Sequence, residues 1–207
     1  MGFIIGGIQS LIFLLLSIYF PSSISLIIMM IISIIMTGAF HEDGLADSTD
    51  ALWGGETIEK RKRILKDSSI GVYGAIALIV IYLLKFEIFK LISYNIHLYI
   101  IAGSVLSRFF SSLLLLLQKY QGDQKSKSLT IVTRYTFQIF LINLLTTIIV
   151  AILTLDVREM LLSLWCLLPV LICNQIIMKK MGFMRGDFLG GTQQICEIFF
   201  YLLLIKK

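Results

Sequence analysis

Apolar residues along this chain come in long unbroken runs separated by short polar stretches, without the tight alternation of a half-buried strand or helix. A bilayer crossing takes about 20 mostly apolar residues. Seven stretches approach that length: residues 2–20 (closed by Pro21-Ser22-Ser23), 24–40, 71–89, 96–117, 135–155, 160–178 and 189–204. The pattern predicts an all-α fold, a polytopic membrane helical bundle of about seven transmembrane helices forming a single domain over 1–207. No internal repeat interrupts it. The first run has neither a basic leader nor a small-residue cleavage site, so it reads as a retained helix, not a signal peptide.

Composition agrees. The chain is 57% hydrophobic and only 15% charged, with a mean hydropathy of +0.91, which excludes an ordinary soluble domain. A net charge of +5 does not point to nucleic acid here, because polytopic proteins collect Lys and Arg in cytoplasmic loops. Three loops hold most of the bases: 41–70 (Lys60, Arg61, Lys62, Arg63, Lys66), 118–134 (Lys119, Lys125, Lys127, Arg134) and 179–188 (Lys179, Lys180, Arg185). Seven spans put all three on one side, read as the cytoplasmic face of the cell membrane; Lys206 and Lys207 weigh against that assignment. Trp53, Tyr135 and Trp165 suit interfacial anchors. Cys166, Cys173 and Cys196 lie in apolar runs without a C-x-x-C pair and read as packing residues. A homo-oligomer is compatible with such a bundle, and nothing in the pattern requires one.

The chemistry concentrates where the second run ends, in His41-Glu42-Asp43-Gly44-Leu45-Ala46-Asp47-Ser48-Thr49-Asp50. At about 100° per residue on a helix, Asp43, Asp47 and Asp50 share one face. An Asp at a membrane helix centre costs roughly 2.5–3.5 kcal/mol, so three together call for a neutralising cation. Oxygen ligands without Cys favour a hard ion, Mg²⁺, over Zn²⁺. A second acidic point, Arg185-Gly186-Asp187 with Glu197 further on, could join the first around one metal. With nearby bases to hold anionic oxygens, acids and metal form the set that phosphoryl transfer uses. Plainer roles stand beside these. The acids could serve a helix N-terminus, the 60–66 bases could touch anionic lipid, and Glu59 could pair with Arg63. Arg108, inside an apolar run, is either functional or the partner of a buried acid. His41 is either a proton carrier or an interfacial residue, and His97 belongs to a short connection.

The run from His41 to Asp50, followed by Lys66-Asp67-Ser68 with Ile70-Gly71 and Gly74, and later by Gly186-Asp187-x-x-Gly190 and Glu197, resembles the adenosylcobinamide-GDP ribazoletransferases, or cobalamin synthases. The resemblance spans nearly the whole chain and implies a Mg²⁺-dependent membrane enzyme. Its substrates would be adenosylcobinamide-GDP and α-ribazole or α-ribazole 5′-phosphate, with GMP released. It carries Asp43, Asp47, Asp50 and Asp187 over as the metal set and Asp67 as a further acid; Lys66, Arg63, Asp67 and Ser68 become candidates for substrate binding, and His41 or a spare acid the proton acceptor. It also implies a further N-terminal segment that this sequence does not carry. Two rivals are weaker. The CDP-alcohol phosphotransferase pattern would have Arg where Asp47 stands, and two more spaced Asp after Asp50, where none follows until Asp67. A cation transporter would set its acids at mid-membrane on broken helices.

Overall fold

The computed structural model describes residues 1–92, 94–118 and 135–205, and within them every regular element is helical. The sequence readings that fall on Lys119, Lys125, Lys127, Arg134, Lys206 and Lys207 lie outside the described residues. The helices are α1 (Gly2–Tyr19), α2 (Ser22–Thr37), α3 (Phe40–Thr49), α4 (Ile58–Ile64), α5 (Val72–Leu91) and α6 (Ile96–Ser112, prolonged by Leu114–Leu117). They continue with α7 (Phe137–Thr154), α8 (Val157–Ser163), α9 (Leu167–Lys180) and α10 (Gly186–Leu203).

Five stretches are long and apolar enough to cross a membrane: α1, α5, Ile96–Leu117, α7 and Val157–Lys180. The count becomes six if α2 and the segment Phe40–Gly54, bent by 87° from it, are taken as one span. The expectation of about seven is not reached, because α2, at 16 residues, is too short to count alone and α10 is too polar. That helix forms where the last apolar run was expected, but it carries Gln193, Gln194 and Glu197, all buried. It occupies the centre of the bundle, packed against α3, α5, α6, α8 and α9.

The bundle is apolar outside and polar within. Ile4, Leu11, Ile79, Leu83, Ile142, Leu145 and Leu171 face outward and are exposed, whereas Gln9, Glu42, Lys85, Ser104, Ser107, Gln193 and Glu197 are each less than 9% exposed. In water that arrangement would be strongly unfavourable. In a bilayer it places apolar side chains in the lipid and satisfies polar ones against each other. Three of the tethers are explicit. Lys85 Nζ meets Glu197 Oε1 at 3.0 Å. The Tyr82 hydroxyl and the Gln194 amide both donate to Glu42 Oε1, at 2.9 and 3.1 Å. Tyr99 donates to Glu159 Oε1 at 2.6 Å, while Glu159 also closes the capping box that starts α8 at Asp156.

The second apolar run stops being helical at Thr37, three residues earlier than expected. Gly38 and Ala39 both take left-handed backbone conformations, with φ of 62° and 56°. Glycine does this freely, alanine at a steric cost. Two such residues in a row swing the chain through 87°, so the acidic helix α3 leaves the line of α2 and lies against α10 and α5.

Candidate active site

The acidic stretch becomes α3 because His41 to Thr49 holds no helix breaker except Gly44, and that glycine sits at the helix crossing. A Cβ at Gly44 would stand 2.7 Å from the Asp187 carbonyl oxygen and 3.1 Å from the Gly190 Cα. Gly191 in turn faces the Gly44 carbonyl and the Ser48 hydroxyl, both at 3.3 Å from its ideal Cβ. Small residues on both sides thus let the α3 and α10 backbones touch, as in close-packed membrane helix pairs. The obstruction at Gly44 is backbone and cannot rotate away. Gly44→Ala is therefore expected to force α3 from α10, costing about 1–3 kcal/mol and most of the activity. Thermal unfolding of the purified protein and a turnover assay check both parts; a variant with wild-type melting and activity would show that the crossing is not that tight.

The crossing brings acids from two distant segments together. Asp47, half-buried, lies within electrostatic reach of Asp43, Asp187 and Asp50, in that order of strength, with Arg185 opposing them. Asp187 lies in the first turn of α10, its Oδ2 3.4 Å from Arg185 Nε. The helix N-terminus adds its own favourable dipole there. Asp43 is exposed beside them. The donors are oxygen-only, the acids repel one another, and Arg185 is the cation paired with one of them. Such a set suits a hard divalent cation. It is not pre-shaped: among the described residues, no three His, Cys, Asp or Glu groups already stand in ligating arrangement.

Asp50 is engaged elsewhere. The helix widens after Thr49 into a π-type turn, Asp50–Gly54, a feature common at functional sites. There the buried Asp50 accepts the Gly71 N–H on Oδ2 at 2.7 Å and the Gly74 N–H on Oδ1 at 2.9 Å. Both oxygens thus hold the start of α5. A Cβ at Gly71 or Gly74 would lie 2.4 Å from a carboxylate oxygen of Asp50, which explains why both positions are glycine.

Among the described residues, Arg63, Asp67 and Ser68 make no contact with these acids. Arg63, Lys66, Asp67 and Ser68 are exposed on and just after α4. Asp67 Oδ1 accepts the Ser69 N–H at 3.0 Å, and hydrogen bonding from the Ser69 side chain, then from its backbone, lowers the Asp67 pKa below the usual carboxylate value. Arg61 and Lys180, which the sequence showed only as loop bases, lock the two loops together. Arg61 donates to the Gly55 and Lys180 carbonyls at 2.9 and 2.5 Å. Lys180 donates back to the Leu52 carbonyl at 2.6 Å and lies 4.5 Å over the Trp53 ring. The 41–70 and 179–188 loops therefore share one end of the bundle. Glu42 and Gly44 were also hidden within the acidic motif, with only the bulk of their neighbours to distinguish them.

His41 lies on the far flank of α3, where it lines a cavity of about 610 Å³ with Arg108, Phe109, Tyr135, Asn143 and Leu189. Two other cavities flank α3. One, of about 310 Å³, runs between α3, α9 and α10; the other, of about 560 Å³, lies between α3, α5 and α10. Both have almost wholly apolar walls. Of the three, only the His41–Arg108 cavity has a cationic side chain in its lining.

Comparison with known proteins converges on one group. The sequence model described as cobalamin-5-phosphate synthase matches residues 1–205. An adenosylcobinamide-GDP ribazoletransferase of Shewanella woodyi is 36% identical over 222 residues, covering 99% of this chain and 81% of that protein. Its counterpart from Shewanella piezotolerans is 36% identical with the same coverage, and that from Shewanella frigidimarina 35% identical. No solved structure matches the chain significantly.

Proposed function

The chain belongs to the cobalamin-5-phosphate synthase family, and from that premise we propose how its own residues divide the work. The protein is a membrane-embedded transferase of cobalamin biosynthesis that joins adenosylcobinamide-GDP to an α-ribazole acceptor and releases GMP. A ribose hydroxyl of the acceptor forms a new P–O bond at the corrinoid-linked phosphorus. The P–O bond to GMP breaks, GMP leaves with the electron pair, and the hydroxyl proton must be accepted.

Asp43, Asp47 and Asp187 are the residues that would hold Mg²⁺, and the ion would supply charge neutralisation on the pyrophosphate. Asp50 is left to the clamp on α5, which fixes the end of the acidic helix. Arg185 draws Asp187 into place and offers a fork for a phosphate oxygen. His41, the imidazole on the acidic helix, or a spare acid of the cluster takes the proton of the attacking hydroxyl. The exposed bases Arg63 and Lys66 collect the anionic donor at the surface. We assign this end to the cytoplasm of the cell, because the bases of two loops gather there, and the arrangement keeps charged ligands out of the hydrocarbon.

The observation that carries the reading is the convergence of Asp43 and Asp47 with Asp187, about 140 residues away in sequence, at a glycine-tight crossing. The test is metal removal. Membranes stripped with a chelator and given adenosylcobinamide-GDP and α-ribazole should release no GMP, and added Mg²⁺ should restore release. Release that persists without divalent ions would overturn the metal assignment.

A further inference from the structure

The cavity of about 310 Å³ between α3, α9 and α10 takes no part in holding the acids. Leu45, Ser48 and Leu52 line it from α3, and on a helix those positions face away from Asp43 and Asp47. Its other walls run lengthwise, from Leu168 to Ile177 on α9 and from Phe188 to Phe199 on α10. At 1.5 Å per residue the slot is about 14–17 Å long. That is close to half of the roughly 30 Å hydrocarbon core, the depth of one leaflet. Leu168, Ile172 and Ile195 in its walls are exposed, so the slot opens sideways onto the bilayer. A nucleotide or sugar lodged between such apolar walls would strand its polar groups.

Two polar features stand against this apolar lining. The Ser48 hydroxyl borders the slot, yet Ser48 is 7% exposed and its Oγ has no hydrogen-bond partner among the described residues. The end of the slot at Ile177 lies one turn from Lys180, where α9 stops. Lys180 is there within electrostatic reach of Arg61 and Lys179. Among the described residues none of these three cations is ion-paired with an acid. Trp53 joins the two features: it lines the slot, and Lys180 Nζ lies over its ring.

An apolar slot one leaflet deep, open to lipid and ending at uncompensated cations, matches an anionic phospholipid. We propose that it is a binding site for one. An acyl chain lies along α9, the Ser48 hydroxyl donates to an ester oxygen, and the cations at the end of α9 face the headgroup. Lys180 is committed to the Leu52 carbonyl, so the exposed Lys179 supplies the reach. A lipid seated there braces α3, α9 and α10 together from the side opposite the acids. The site goes beyond the transferase reading and stands without it, because no step of the reaction passes through the slot.

The full chain would be purified in a neutral detergent, stripped of lipid and titrated with lipids under native mass spectrometry, which reads bound lipid and chain stoichiometry without turnover. Dioleoylphosphatidylglycerol should be held at one per chain, at least about tenfold more tightly than dioleoylphosphatidylcholine. Glycerol phosphate, a head without chains, should not be held. Lys179→Gln should cut the preference for the anionic lipid about fivefold, what one cation near a membrane surface contributes. Ile172→Trp, at the exposed mouth, should fill the slot and abolish retention of both lipids while the lipid-free protein melts as wild type. The proposal fails if the two phospholipids are held equally, or if Lys179→Gln leaves the preference intact. It fails equally if Ile172→Trp still holds one lipid per chain, which would place the lipid elsewhere. Displacement of phosphatidylglycerol by adenosylcobinamide-GDP or α-ribazole would give the slot to a substrate. A lipid-free dimer that Ile172→Trp breaks into monomers would give it to a second copy of the chain.

Discussion

Asp187→Asn is expected to lower turnover by about 10²–10³-fold, the usual effect of removing one fixed charge from a polar transition state, while the protein melts as before. The reason is geometric. Asn has the shape of Asp, so the carbonyl of residue 187 still lies against Gly44 and the α3–α10 crossing survives. The charge shared with Asp43 and Asp47 is gone, and with it the pairing with Arg185. Asp43→Asn should behave alike, since Asp43 is exposed and holds no other element in place. Asp50→Asn should do the reverse. Its two oxygens serve the Gly71 and Gly74 amides, and an amide side chain can accept with only one atom. A buried N–H left without a partner costs about 1–3 kcal/mol, so this variant should melt early and lose activity only in step with its fold. Thermal unfolding and GMP release, measured on the three variants together, separate the roles. If Asp50→Asn melted normally but did not turn over, Asp50 would move from the clamp to the metal.

That contrast also marks what the sequence could and could not say. The acids were legible because they interrupt apolar runs, and the spacing of Asp43 and Asp47 places them on one face whatever surrounds the helix. The same spacing puts Asp50 beside them. What the spacing does not show is the start of α5, 21 residues further on, whose amides reach the Asp50 carboxylate only in the folded chain. Periodicity carries no information about such a partner. The span ends were readable to within a few residues, with α5 running to Leu91 where 89 was expected. The break at Gly38-Ala39 was not, because Ala39 in a left-handed conformation leaves no mark in composition. The last run reads as one more crossing because its Leu, Ile and Phe residues outweigh Gln193, Gln194 and Glu197; the structure keeps the helix and buries those three at the bundle centre. Those three polar residues are what make it the hub of the bundle.

Glu197→Gln should destabilise the protein by about 3–5 kcal/mol, the range for stranding a buried charge, and more than Lys85→Met does. Both partners of the pair are at most 10% exposed, and the carboxylate has further donors. Gln193 Nε2 reaches Oε2 at 3.0 Å and the Tyr201 hydroxyl reaches Oε1 at 3.1 Å. Arg108 also lies within its field. Removing the lysine therefore leaves an acid that still has a cation and two hydrogen bonds. Replacing the acid by Gln leaves Lys85 a neutral amide oxygen and the Tyr82 ring at 6.0 Å in place of a charge, and Arg108 loses its counter-charge as well. The sequence left Arg108 as either functional or the partner of a buried acid; only the structure says that Lys85 takes the close position. Unfolding of the two single variants and of the double variant Lys85→Met/Glu197→Gln in one detergent measures it. The double variant should recover part of the loss seen in Glu197→Gln, because no lysine is then left unpaired. Equal losses in the two single variants, adding without recovery in the double, would mean that the pair is solvated and that the polar interior of this bundle is open to water.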